Sequence, residues 1–410
     1  MTTTAVGLPG YAAARFRRPE AALRAVEDLY WDPIDVDIDV EPYEIWRRLR
    51  DEAPVYRNER LDFWALSRYA DVEAAHRDPA TYLSSHGTVL ELMTAEPIPS
   101  GLMIFQDPPE HTRLRALVSR AFTPRRVHRL EGHIRDLCAQ LLDRWDEGAE
   151  FDFVTGFGGP LPSMVICELL GVPADDRPWV KDRIDTTFHI EPDVGMVNEI
   201  ALAARIELDG YLTALLAERA AHPGDDLLSG LTQADLTTRE CVDFANLLVS
   251  AGTETVARLV GWAAVVLDEH PDQRAELAAD PSLIPNALEE LLRYEAPSPV
   301  QGRWTSRPVE LHGVEVPAGS KVLLITGSAG RDERQYPDAD RFDIHRRFDN
   351  HVSFGFGIHF CLGAALARLE GRVALEEVLR RHPAWEVDRD RAVRHHTSTV
   401  RGWSSVPCRG

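Results

Sequence analysis

Phe354-Gly355-Phe356-Gly357-Ile358-His359-Phe360-Cys361-Leu362-Gly363 stands immediately before the last long helical segment, expected from about residue 362 to 381. A cysteine at such a junction has a chemical use. A helix N-terminus presents free N–H groups and a partial positive charge, and both favour thiolate over thiol. The amides of Leu362, Gly363 and Ala364 are placed to donate to the sulfur and tune it as a metal ligand. Gly357 supplies a turn needing positive φ, Gly363 lets a flat group come close to the backbone, and Phe354 and Phe360 would shield the sulfur from water. A lone cysteine is more often an inert core residue. Its neighbours decide the matter.

Most of the remaining chain reads as helix. Residues 237–269 form the longest candidate, opened by the capping-box signature Thr237-x-x-Glu240 and apolar almost all round through Phe244, Leu247, Leu248, Val256, Leu259, Val260 and Val265. A helix apolar on every side belongs in the middle of a protein. Further helices are expected at 42–53, 127–146 and 285–294, with Pro42 and Pro285 suited to first turns. Strand-like pieces lie at Val55-Tyr56, at Phe63-Trp64-Ala65-Leu66 and within 309–326, and an irregular Pro/Asp/Arg-rich stretch fills 330–350. The fold class is mainly α with small β-sheets. Without βαβ alternation, a Rossmann or TIM-barrel chain is excluded.

The 410 residues are 44% hydrophobic and 27% charged, enough apolar material for a large core. A net charge of −21 argues against nucleic acid or an anionic membrane as the main partner. No run approaches the roughly 20 apolar residues that span a bilayer. Residues 1–18 are expected to be a flexible lead-in rather than a signal peptide, and 19–410 a single domain. Cys138, Cys167, Cys241, Cys361 and Cys408 are scattered without CxxC pairing, which disfavours a disulfide framework or structural zinc and fits a reducing cytoplasm.

The cysteine stretch is similar to the haem-binding signature of the cytochrome P450 family, Phe-x-x-Gly-x-x-x-Cys-x-Gly, through Phe354, Gly357, Cys361 and Gly363, with His359 in a slot usually held by a basic residue. The resemblance runs from about residue 40 to the end. It implies the family fold, with haem b between the long central helix and the cysteine-loop helix and Cys361 as axial thiolate ligand of the iron. Ala251-Gly252-Thr253-Glu254-Thr255 resembles the family's oxygen-activation segment. Ala251 and Gly252 would leave room over the haem, and Glu254 and Thr255 would form an acid–alcohol pair for proton delivery. Val256 stands where a second Thr or Ser is common. Glu290-Leu291-Leu292-Arg293 resembles the Glu-x-x-Arg motif, whose spacing puts both ends on one helix face. The resemblance implies a buried structural triad with Arg341. Ala339 and Gly330 depart from the usual Pro and Asn. His111, Arg115, Arg303 and His359 match the family's donors to the two haem propionates.

The function so implied is monooxygenation: one oxygen atom from dioxygen enters an apolar lipid, terpenoid, steroid or polyketide-like substrate. No flavin or nicotinamide fingerprint or iron–sulfur cysteine cluster stands in the sequence, so a separate ferredoxin-type donor with its reductase is expected to bring electrons to a monomer. Arg113, Arg120, Arg125, Arg126, Arg346 and Arg347 are candidates for its basic docking patch. Family analogy draws substrate contacts from 82–105, 164–190, Leu248 and Ala251, 299–301 and 399–400. The first stretch has no Lys or Arg. An apolar pocket is therefore expected, with Val89, Leu90, Leu92, Met93, Leu102, Ile104, Leu248, Val300 and Val400 as wall candidates. Two rivals are a haem-thiolate enzyme that uses peroxide or does not oxygenate, and a non-catalytic haem sensor. The intact Glu254-Thr255 pair argues against the first, and substrate-dependent consumption of reducing equivalents would exclude the second.

Overall fold

The computed structural model describes residues 25–410 except 122, 147, 188–197 and 348. The N-terminal lead-in, part of the 164–190 substrate segment, and the side chains of Arg120 and Arg125 lie outside the described residues.

The central helix, Thr238–Glu269, is 32 residues long and buried along most of its length. Its start is fixed as the sequence signals: Glu240 N donates to Thr237 Oγ1 (3.2 Å), and Thr237 N donates back to Glu240 Oε2 (2.6 Å). The cysteine-loop helix, Ala364–Arg381, begins two residues later than expected. Leu362 and Gly363 are spent on a turn, closed by the Ala364 N–H donating to Cys361 O (3.3 Å). The segment expected as one helix over 127–146 is two, Pro124–Arg129 and Glu131–Leu142. Leu130 separates them, its N–H bonding Val127 O (3.0 Å) as the first closes, its carbonyl accepting from Ile134 N (2.8 Å) as the second opens. Together with Pro160–Leu170, these helices enclose the larger apolar core.

A five-stranded sheet forms the other wall. Its strands are β1 (Val55–Asn58), β2 (Phe63–Leu66), β3 (Tyr82–Leu83), β4 (Val300–Thr305) and β5 (Lys321–Ile325), in the order β1-β2-β5-β4-β3. Only β2 and β5 run parallel. Leu90, Met93 and Val300 are packed with Trp31, Trp46 and Phe63 in the apolar cluster on this sheet. That corrects their expected role as pocket walls: at 5–7% exposure they are core. A C-terminal hairpin, Val393–His396 with Arg401–Ser405, lies along the central helix, where Trp262 Nε1 donates to Arg401 O (3.2 Å). Among the described residues, no helix is long and apolar enough to cross a membrane.

Candidate active site

Cys361 sits where the sequence puts it, in the turn before Ala364–Arg381, with its N–H donating to Phe354 O (2.9 Å). Burial pushes its thiol up, while hydrogen bonds from the amides of Gly363 and Ala364 and the charges of Arg115 and Arg368 pull back toward thiolate. Gly357 is at φ +68°, and a Cβ there would run into the backbone carbonyl of His76. Only glycine closes this loop against the helix Tyr69–Arg77. Gly363 has an ordinary φ of −82°, and a Cβ there would find Cys361 Sγ at 3.9 Å. The space it leaves lies beside the sulfur. Phe354 is half-buried under Arg368, whose guanidinium is 4.5 Å from the ring centroid. Phe360, expected to shield the sulfur, is 39% exposed and instead offers its carbonyl to Arg115 Nη2 (2.8 Å).

Across from the sulfur, the four expected basic residues come together from three elements. His111 and Arg115 lie one turn apart on Glu110–Ala121, Arg303 is on β4, and His359 is in the cysteine loop. The His111 and His359 rings are 4.2 Å apart, and His359 Nε2 is 3.2 Å from Ser84 Oγ. A fifth member, His76, was missed in the sequence: a lone histidine in a helix carries no motif. Burial, then Arg303, His111 and Arg115, push the His359 imidazolium down to about 2. Burial and Arg303 take His76 to about 3, and burial lowers Arg303 itself to about 10. Asp107 is the acid that favours charge at His111 and Arg303. It is also held by the amides of Ser84 (2.8 Å) and Ser85 (3.0 Å). Both ring nitrogens of His76 and of His111 are buried without a hydrogen-bond partner. Buried polar groups left so are costly, and the Arg303 charge buried among neutral rings is costlier. A flat apolar group bearing carboxylates, set over the sulfur, satisfies them. Haem fits.

Behind the loop, Glu290 and Arg293 are fully buried on Ile284–Tyr294 and joined by two bonds, Nε–Oε2 (2.6 Å) and Nη2–Oε1 (2.7 Å). Arg293 Nη1 donates to the carbonyls of Gly330 (2.6 Å) and Ala339 (2.8 Å). The third side chain is Arg346, whose Nε donates to Glu290 Oε1 (3.1 Å), and not Arg341. Arg341 contributes its carbonyl and turns its side chain to solvent. A Cβ at Gly330 would collide with the Arg293 carbonyl, which accounts for glycine there.

A family model described as Cytochrome P450 matches residues 203–401. The vitamin D(3) 25-hydroxylase of Pseudonocardia autotrophica is 40% identical over 383 residues, 89% of this chain and 93% of that one. The chain belongs to the cytochrome P450 family. The erythromycin C-12 hydroxylase of Saccharopolyspora erythraea is 41% identical over 372 residues, covering 88% and 92%. The solved cytochrome P450 CYP109Q5 from Chondromyces apiculatus superposes with a TM-score of 0.85 at 35% identity, covering 92% and 97%. The protein is therefore a cytochrome P450 monooxygenase, a haem-thiolate enzyme dependent on dioxygen and a redox partner.

The central helix of this P450 presents Ala251 and Thr255 on one face, Ala251 exposed and the Thr255 hydroxyl donating to Ala251 O (2.9 Å). Gly252 does not face the same space. A Cβ on it would sit 3.0 Å from Ile166 Cδ1, so its smallness serves the packing of Pro160–Leu170. Glu254 turns to the other flank, 8% exposed, with its Oε1 2.6 Å from His395 Nε2. Of the pocket candidates, Val89, Leu92 and Leu102 are half-buried, Ile104 is 37% exposed, and Leu248 and Val400 are buried. Of the basic-patch candidates, Arg113 is exposed and paired with Glu110 and Glu240, and Arg346 is paired with the buried Glu290. Arg347 is exposed, and Arg126 lies 3.7 Å from Asp225.

Proposed function

We propose that Cys361 is the thiolate that would hold the haem iron of this P450, and that His111, Arg115, Arg303 and His359, joined by His76, would hold the haem propionates. The observation that supports this is the cluster of basic side chains, with the His76 and His111 rings buried and unpartnered, beside a half-buried cysteine at a helix start. When bound, the haem supplies the chemistry of dioxygen reduction, one oxygen atom entering the substrate and the other leaving as water with two electrons and two protons from outside. The chain's own part is to orient, to exclude water and to move protons. Thr255 holds a hydroxyl on the distal face, and Glu254 holds a carboxyl one residue away toward the hairpin. Glu290, Arg293 and Arg346 fix the loop behind the ligand.

The substrate on this reading is an apolar small molecule of lipid, terpenoid, steroid or polyketide-like type. Relatives named for vitamin D(3) and erythromycin support that range, and so does a 82–105 stretch without Lys or Arg. We assign electron delivery to a separate ferredoxin, and residues 19–410 to one catalytic domain of a cytoplasmic monomer. Five free cysteines suit a reducing compartment. A library of such compounds screened for a low-to-high-spin shift tests the substrate class. Shifts confined to charged, hydrophilic compounds would contradict it.

A further inference from the structure

Glu254 is not free to swing. Its partner His395 comes from the strand Val393–His396, where it stands opposite Gly402. Helix spacing alone would pair Glu254 with Arg258, one turn on. The structure sends Arg258 elsewhere. Its stem lies over Gly402, where a Cβ would come within 2.8 Å of Arg258 Cβ, and its Nη1 donates to Trp403 O. The missing side chain at Gly402 thus draws Arg258 to the hairpin, and an imidazole takes the place beside the acid. His395 is not sealed, with 13% of its side chain accessible, whereas its Nε2 is buried 2.6 Å from the carboxyl oxygen, an ion-pair contact without hydrogen-bond alignment.

We propose that His395 is a positioning residue of the distal proton relay, orienting the Glu254 carboxyl and replenishing its proton. This rests on Glu254 being the relay acid. The groups that face the ring are Glu254 and Arg258 from the central helix and His396 from its own strand, with Asp185 beyond Arg258. Burial, Arg258 and His396 disfavour the imidazolium, Glu254 favours it, and the ring stays below its ordinary value. Such an imidazolium is a ready donor. Its Nε2–H bond breaks as an O–H bond forms on the Glu254 carboxylate, leaving a neutral ring that keeps Nδ1–H; the ring regains its Nε2 proton from water when Nε2 turns out of contact with the acid.

The test uses the haem-loaded enzyme. In its diamagnetic ferrous carbonyl form, labelled with 15N-histidine, the His395 ring is followed by NMR through a pH titration and assigned by its loss in His395→Gln. The midpoint should lie below that of an ordinary histidine and fall further in Glu254→Gln, because the carboxylate that favours the charge is gone. In turnover, His395→Gln and His395→Phe should keep the substrate-induced spin shift. Product per reducing equivalent should drop about tenfold, less than the roughly 10²–10⁴ ascribed to a group that exchanges a proton with the reacting atoms directly. Glutamine keeps an N–H donor, so a merely structural role would be rescued by it. A relay role would not, and the acid limb of the pH profile would flatten in both variants. A titration indifferent to Glu254→Gln, or a pH profile unchanged in His395→Gln, overturns the proposal. Coupling lost in Glu254→Gln and kept in both His395 variants refutes His395 alone. Coupling kept in all three refutes the relay reading itself.

Discussion

Glu290→Ala should cost this protein several degrees of thermal stability and much of its haem. The carboxylate accepts from Arg293 Nε and Nη2, from Arg346 Nε and from the Asp343 N–H (3.0 Å), with no exposure to water. Its removal leaves the Arg293 guanidinium buried without a counter-charge, which costs about 3–5 kcal/mol. An unfolding entropy of ~2.1 cal/mol/K per residue gives on the order of 0.8 kcal/mol/K for a chain of this length, so Tm should fall by roughly 4–6 °C. The loop follows, because Ser353 Oγ is tied to Leu292 O (2.6 Å) on the same helix. Calorimetry and the haem-to-protein ratio read both effects. The same assay separates the two arginines. Arg346→Ala removes a hydrogen bond to a charged group and should cost about 1.5–3 kcal/mol. Arg341→Ala, an exposed side chain, should stay within about 0.5 kcal/mol. A Glu290→Ala protein that is fully loaded and melts within about 1 °C of the parent, or a larger loss at Arg341 than at Arg346, would refute the reasoning.

Gly357→Ala forces a Cβ into the left-handed region, at about 1–2 kcal/mol, and against the His76 carbonyl; haem content should fall, and an undiminished haem-to-protein ratio would contradict the close approach. Burial raises the Glu289 carboxyl, but hydrogen bonds from Arg368 and His351 outweigh it and hold the group at about 2 against an ordinary 4.5. A folded value below the unfolded one means that its stabilisation is complete above about pH 4.5 and fades as pH falls toward 2. Glu289→Gln should therefore lose less stability across that acid window than the parent, and parallel Tm–pH curves would count against the pairing. Thr255→Ala should divert reducing equivalents to peroxide with haem still bound. Unchanged product per electron would remove Thr255 from the relay.

What was legible in the sequence was local. The cysteine, its glycines and the following helix all sit within residues 355–381, and the capping box at Thr237 fixes the central helix start within its own first turn. Glu290 and Arg293 meet because three residues on a helix bring them together. The third arginine could not be read this way, because the backbone path through 330–350 decides whether Arg341 or Arg346 turns inward. Gly252 shows a related limit. A missing side chain announces a close approach but not from which side, and here the neighbour is Ile166. Leu90, Met93 and Val300 have the polarity of pocket walls and of core alike, and only packing assigns them. His76 and His395 are far in sequence from the functional residues they meet, and nothing in their spacing marks them.

The central claim is that Cys361 is the haem ligand, and the absorption spectrum of the ferrous carbonyl complex tests it most directly. The parent protein should show the red-shifted Soret band that a thiolate ligand gives. Cys361→Ser should lose that band, while Cys138→Ser and Cys408→Ser, whose thiols burial pushes well above the usual range, should keep it. A red-shifted band that survives Cys361→Ser would contradict the account.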